Sequence, residues 1–127
     1  MNTPVAPSVI APPAANYSHA VLAVGADRLL HTSGVVPTAP DGTVPDGLAD
    51  QAEVVWQNLA SILSEAGMAM TDVVSITTYV VQGSELGAVM GVRDRVMGGH
   101  RPASTLVVVP ALARPEWLVE IALVAAR

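Results

Sequence analysis

The sequence lacks cysteine and lysine altogether. Without cysteine, neither a disulfide framework nor a thiolate nucleophile is available. Without lysine, six arginines face eleven acidic residues, and the formal net charge is -5. Because nucleic acid binding needs a basic face for the phosphates, this balance argues against a nucleic acid partner.

Long apolar runs are also missing, since no segment approaches the roughly 18 unbroken apolar residues of a membrane span. Residues 1–15 have no basic start and carry four prolines, so they do not resemble a signal peptide. Three histidines without acidic neighbours at ligand spacing give no metal signature. We therefore expect a soluble, cytoplasmic protein with no membrane partner, metal or cofactor.

Charge of either sign is scarce. Charged residues make up 13% of the chain and hydrophobic residues 51%. Such a composition leaves apolar surface exposed on a monomer, so we expect another subunit to cover part of it. The 127 residues suffice for one domain with its own core.

Hydrophobic periodicity divides the chain into strands and helices. The order β-β-α-β-α-β-β follows an extended N-terminal arm, residues 1–15. The first two strands form a predicted hairpin at 18–34, and a Pro/Gly/Asp-rich loop covers 36–47. The predicted helices begin after Asp46 and Ser84 as N-caps and end near Gly67 and Gly98. The remaining predicted strands are 72–81, 104–112 and 117–126.

One face of the first helix is predicted to contain Leu48, Ala52, Val55, Leu59, Ile62 and Ala66. The corresponding set on the second helix is Leu86, Val89, Met90, Val96 and Met97. Two such helices can cover one face of a sheet.

The last strand is apolar on both of its faces. Trp117, Val119, Ile121 and Leu123 alternate with Leu118, Ala122 and Val124. Strands of this kind need cover on both faces, and a second copy of the chain is the simplest second cover. Glu120 alone interrupts the second face. A lone carboxylate among apolar neighbours is frequent at functional sites. Glu120 could equally form an ion pair with an arginine at a subunit contact, and the pattern does not favour either interpretation.

Several motifs together resemble the RidA/YjgF family of imine/enamine deaminases. The resemblance runs from about Ala14 to Ala125. It is carried by NYSHAV (16–21), LLHTSGVVP (29–37), GTVPDGLADQAEVVWQNLASILSEAGM (42–68), DVVSITTYVV (72–81) and, most specifically, RPASTLVVVPALARPEWLVEIALVAA (101–126).

The resemblance implies a chorismate-mutase-like α+β fold and a homotrimer with a small-molecule pocket at each subunit interface. It also implies hydrolysis of imines and enamines without a metal or cofactor. In the family an arginine grips the substrate carboxylate in a bidentate manner, and a glutamate positions or activates water. A tyrosine and the serine of an SG turn help to line the pocket.

Carried over onto this sequence, the match is partial. Glu120 corresponds to the glutamate, Tyr17 to the tyrosine, and Ser33 and Gly34 to the SG turn. Ser104 stands where the arginine is usual. Leu106 and Met90 replace two further polar residues, and Thr105 offers the pocket a hydroxyl.

The chain thus resembles the branch that lacks the arginine. A lost bidentate contact costs roughly 10- to 150-fold in binding or rate. We therefore expect weak or absent turnover of 2-aminoacrylate and 2-iminobutanoate.

Arg101 lies three residues before Ser104, an odd offset that points a strand side chain to the opposite face. Two interpretations stay open for it. In one, it pairs with an acidic residue or with loop carbonyls. In the other, it reaches the pocket rim and binds an anion there.

Two main functions compete at this point. The first is a deaminase-type enzyme in which Glu120 handles water or a proton. The second is a non-catalytic trimer that binds an apolar metabolite or acts as a regulatory protein or holdase. The lost polar residues favour the second, and the retained Tyr17, Ser33 and Glu120 favour the first. RNA cleavage is disfavoured by the acidic balance.

Overall fold

The computed structural model describes residues 1–127 and has an α+β architecture of six strands and two helices. The strands are β1 Asn2–Val5, β2 Ala20–Ala23, β3 Leu29–His31, β4 Val73–Val81, β5 Ala103–Val109 and β6 Val119–Ala126. The helices are α1 Leu48–Glu65 and α2 Leu86–Met97. The predicted fold class is confirmed. Neither helix combines the length and apolar character that crossing a bilayer requires.

The main sheet has the strand order β3-β6-β4-β5. β6 runs antiparallel to both of its neighbours, whereas β4 and β5 are parallel. Parallel neighbours need a crossover connection, and α2 supplies it. β6 therefore lies inside the sheet, which explains its apolar sequence.

Both helices pack on the same face of this sheet. Val119, Ile121, Leu123 and Ala125 point into the core from β6, each at most 2% exposed. Helix α1 meets them with Ala52, Val55, Trp56, Leu59 and Leu63. The alternate residues Glu120, Ala122 and Val124 face away from the helices and are half-buried. The predicted two-faced strand is confirmed, and the single chain covers only one of its faces.

The predicted hairpin at 18–34 is wrong. β2 pairs instead with β1, in the register Asn2↔Ala23, and β3 pairs with β6, in the register Leu29↔Ala126. The reason is that β4 occupies only one edge of β6, so β3 can pair with the other edge and join the main sheet. The N-terminal arm likewise offers β2 a partner, where Pro4 is tolerated because β1 is an edge strand.

Element ends and one helix face also differ from expectation. α1 begins after Gly47 rather than Asp46, and α2 begins after Glu85 rather than Ser84; neither has a side-chain cap. Ile62 is 37% exposed and Leu63 is buried in its place. Leu63 continues the three- and four-residue spacing of the buried face, whereas Ile62 lies about 100° away around the helix.

Two predicted strands are shorter than expected. β5 ends at Val109, so Pro110 to Leu112 lie outside it. β6 begins at Val119, after Trp117 and Leu118. A proline cannot donate to the ladder, which ends pairing at Pro110.

Candidate functional site

Glu120 lies on the open face of the sheet, beside the segment that follows β3. Val35 donates its backbone N–H to the carbonyl of Ile121 at 2.8 Å, and Ile121 donates back at 3.1 Å. These two bonds fix the Ser33–Gly34 turn alongside β6. The structure therefore brings Ser33, Gly34 and Glu120 together, although they are far apart in sequence.

Gly34 leaves space for the carboxyl group. A Cβ atom at this position would lie 2.7 Å from the carboxyl carbon of Glu120 and 3.0 Å from its Cγ. Gly34 has no positive φ, so the requirement for glycine here is one of space. Any larger residue would push the Glu120 side chain from its place.

No cation neutralises Glu120 within the chain. The ion pairs of the molecule are Arg93–Asp94, Arg95–Glu53 and Arg127–Asp72. A carboxylate without a bound cation keeps its lone pairs for a water molecule or a proton. The alternative of an arginine partner across a subunit contact stays open.

Ser104 and Leu106 lie on the other side of the sheet, the side that the helices cover. Ser104 is in register with Ile76, a core residue, and Leu106 packs against the core. Met90 is half-buried on α2. Thr105 points the opposite way, in register with Thr77, and is exposed on the same open face as Glu120.

Tyr17 and Arg101 lie together at the start of β5. Ser18 donates its N–H to the carbonyl of Pro102 at 3.1 Å, which seats the loop carrying Tyr17 on this edge. The side chains of Tyr17 and Arg101 line a cavity of about 440 Å³ together with His19 and His100. Arg101 is exposed and forms no ion pair, so it fits the rim interpretation better than the paired one.

The Glu120 group and the Ser104 group cannot share a pocket within one chain. Glu120 is in register with Tyr79 and through it with Val107, three residues along β5 from Ser104. Glu120 is thus displaced from Ser104 by two strand spacings across the sheet, about 10 Å, and by three residues along the strands, again about 10 Å. The two side chains also point to opposite faces. A pocket that uses both groups needs a second copy of the chain.

Sequence reasoning missed Arg93, which is 7% exposed. Its Nε and Nη2 both donate to Oδ1 of Asp94, at 3.2 and 3.0 Å, and its Nη1 donates to Oγ of Ser104 at 3.3 Å. The signal was the spacing: Arg93 follows Val89 by four residues and precedes Met97 by four, which puts it on the buried face of α2.

Asp94 connects Arg93 to the N-terminal loop. Its Oδ2 accepts a hydrogen bond from Nδ2 of Asn16 at 3.0 Å. Burial acts to raise the pKa of Asp94, but the hydrogen bonds from Asn16 and Arg93 and the charges of Arg93 and Arg101 outweigh it and hold the pKa below its usual value. Asp94 is therefore a charged anchor for both α2 and the segment that carries Tyr17.

No group of three histidine or acidic side chains is close enough together to hold a metal ion. The arrangement instead consists of two sets of polar residues, one built around an unpaired carboxylate and one around a buried guanidinium. The first can accept a proton, and the second can bind an anion.

The same residues are matched by a family model. That model, described as Endoribonuclease L-PSP, matches residues 9–127. The chain belongs to this family, the RidA/YjgF family. The resemblance noted in the sequence is thereby confirmed.

Individual members of the RidA/YjgF family match over most of the chain. The 2-iminobutanoate/2-iminopropanoate deaminase of Rattus norvegicus is 33% identical over 100 residues, 77% of this chain and 71% of the rat protein. A solved structure from Yersinia pestis, YyfB of the conserved Rid protein family and of unknown function, superposes with a TM-score of 0.88 at 32% identity, covering 99% of this chain and 98% of that one. Escherichia coli TdcF with bound serine gives a TM-score of 0.73 at 25% identity, covering 98% and 93%.

Proposed function

We propose that this RidA-family protein hydrolyses a small imine or enamine in a pocket between subunits, with Glu120 as the group that activates water. The observation that carries the proposal is the carboxyl group of Glu120, which has no ion-pair partner in the chain and is held against Gly34 on an uncovered sheet face. The rat relative, an imine deaminase by name, supports the reaction type.

The reaction needs one proton acceptor and one water molecule. Glu120 removes a proton from water as the water oxygen bonds to the imine carbon, and the C=N electron pair moves to nitrogen, which takes that proton back from the Glu120 carboxyl group. The resulting amino alcohol loses ammonia as its hydroxyl proton passes to nitrogen and its C–N bond breaks, leaving a carbonyl product and a regenerated carboxylate. An enamine reaches the same pathway after protonation at carbon. No electrons are exchanged with a cofactor.

The pocket requires assembly, and we propose a homotrimer. The open face around Ala122 and the Ser104 edge lie on different surfaces of the chain, so contact between them is head-to-tail, and we propose that three copies close it into a ring. In such a ring the Glu120, Ser33 and Gly34 of one copy meet the Tyr17 and Ser104 edge of the next. Thr105 and Arg101 lie at the margins of these surfaces.

A non-catalytic trimer is the second candidate. The observation that favours it is the apolar side chain of Leu106, which lies on the same face of β5 as Ser104 and suits an apolar metabolite. An RNA substrate is disfavoured because the chain has only six arginines against eleven acidic residues and so lacks a basic surface for the phosphates.

The test is ammonia release from imines generated in solution, both carboxylate-bearing and neutral. We expect catalysis by the wild type and a fall of roughly 100-fold or more for Glu120→Gln, because general base catalysis contributes about 10²- to 10⁴-fold. The melting temperature of this variant should be unchanged or raised, since a neutral amide is less costly to bury than a carboxylate. If the wild type hydrolyses none of the imines, the proposal is contradicted and the non-catalytic binding protein becomes the better candidate. Full activity in Glu120→Gln also contradicts the proposed role of Glu120.

A further inference from the structure

We propose that Arg93, on helix α2, is the anion-binding residue of this pocket and selects a substrate that carries a carboxylate. This inference rests on the proposed function, because it concerns the same pocket. No residue of β5 offers a cation to the pocket, since Ser104 occupies the relevant edge. Arg93 reaches that edge from the helix, and its Nη1 lies 3.3 Å from Oγ of Ser104.

The hydrogen bonds of Arg93 leave part of its guanidinium free. The group has five N–H donors, and three of them are engaged, two with a single oxygen of Asp94 and one with Ser104. One N–H remains on Nη1 and one on Nη2. Two such donors on the two terminal nitrogens match a bidentate carboxylate.

A purely structural role would use Asp94 more fully. A carboxylate can satisfy a guanidinium through both oxygens, but Oδ2 of Asp94 is bonded to Asn16 instead. Asp94 therefore fixes the orientation of Arg93 through a single oxygen, and two N–H groups of Arg93 have no partner within the chain. It acts as a positioning residue.

The local charge also favours an anion. Arg93 and Asp94 balance one another, and the charge of Arg101 acts on Asp94 from nearby, which leaves one net positive charge. The chain as a whole is acidic, with a net charge of -5. An anion is thus attracted to this corner of the molecule and repelled elsewhere.

The inference reverses one expectation from the sequence. Weak turnover of 2-aminoacrylate and 2-iminobutanoate was expected because position 104 holds serine. The guanidinium of Arg93 now stands beside that serine, so we expect carboxylate-bearing imines to be preferred over neutral ones.

The experiment compares Arg93→Met with Arg95→Met, titrating each with 2-oxobutanoate and with its neutral analogue butan-2-one. Arg95 is the matched control because it is exposed on the same helix and pairs with Glu53. We expect Arg93→Met to weaken 2-oxobutanoate binding by roughly 10- to 150-fold and to leave butan-2-one binding unchanged. Arg95→Met should bind both probes as the wild type does.

Kinetics give a second readout. For a carboxylate-bearing imine, Arg93→Met should raise KM with little change in kcat, since the contact is made before and during the reaction. Should Arg93→Met fail to fold, Arg93→Lys decides: it keeps the charge but loses the bidentate fork, and binding of 2-oxobutanoate should still fall.

Wild-type binding of 2-oxobutanoate by Arg93→Met, or by Arg93→Lys where only that variant folds, overturns the inference. The proposed function survives that result if Glu120→Gln is still inactive. In the converse outcome, Arg93→Met selectively loses 2-oxobutanoate binding while the wild type hydrolyses no imine. That result would support the anion site at Arg93 and contradict the proposed enzymatic function.

Discussion

The two faces of the main sheet are built from the same strands and serve different purposes. On β6, Ile121 and Leu123 are at most 2% exposed beneath the helices, whereas Glu120 and Ala122 between them remain half-buried and uncovered. Alternation along one strand thus separates a face that is buried under the helices from a face that the chain leaves uncovered, which is the face we propose for assembly and chemistry. We therefore expect substitutions of neighbouring residues on β6 to have different effects: one on assembly and activity, the other on the stability of the fold.

The largest effect is expected from a charge on the open face. Ala122→Asp should leave the monomer folded but prevent assembly and so abolish activity, because an unpaired carboxylate cannot be buried between subunits. Light scattering measures the mass, and Ala60→Asp, on the exposed side of α1, controls for the added charge.

The neighbouring residue supplies the contrast. Ile121→Ala should lower the free energy of unfolding by about 2–5 kcal/mol, as measured by urea denaturation, because it leaves a cavity in the core. A trimeric and active Ala122→Asp protein would show that the open face is not an interface, and the difference between the faces would disappear.

A smaller effect is expected at Gly34. Gly34→Ala forces the flexible end of Glu120 aside, because the added Cβ would lie 2.7 Å from its carboxyl carbon. Activity should fall by roughly 100-fold, the cost of an ångström-scale misplacement, while the melting temperature changes little. Gly87→Ala is the control, since no atom lies within 4 Å of a Cβ there. Equal activity in the two variants would show that the position of Glu120 does not matter.

The smallest effect concerns the Asp94 anchor on the other face. Its pKa in the folded protein lies below the ordinary 3.8, so its contribution to stability is present above that value and is lost as pH falls through the folded pKa. Asp94→Asn should therefore destabilise the protein at pH 7 by about 1 kcal/mol or less, since the pair with Arg93 is partly exposed.

This difference between Asp94→Asn and the wild type should shrink toward zero as pH is lowered below 3.8. Urea denaturation at several pH values provides the measurement. A difference that persists in acid would mean that Asp94 acts by packing alone and not by its charge.

Features that depend on local periodicity were predictable from the sequence. The alternation around Glu120 identified both faces of β6, and the spacing of Val55 and Leu59 identified α1. Partner choice was not predictable, because β3 pairs with Ala126 and its neighbours from the far end of the chain. Strand pairing of this kind is set by tertiary context rather than by nearby residues.

The buried arginine was hidden for a similar reason. A charged residue is rarely buried without partners, and Arg93 has Asp94 beside it and Ser104 in another segment, while Asn16 donates to Asp94 and not to Arg93. Ser104 lies in β5, and Asn16 lies in the N-terminal loop, 78 residues before Asp94. Tyr17 and Ser104 were named from motifs, but only the fold shows that Glu120 lies on the opposite face from Ser104.

The placement of Glu120 and Arg93 on opposite faces has a genetic consequence. In the proposed ring of three, each proposed pocket takes its glutamate from one subunit and its arginine from the next. A Glu120→Gln subunit and an Arg93→Met subunit are then both defective alone, yet any mixed ring contains one place where an intact glutamate faces an intact arginine. We therefore expect two defective alleles to complement each other in the same cell, and one copy carrying both substitutions to disable two pockets of its ring at once.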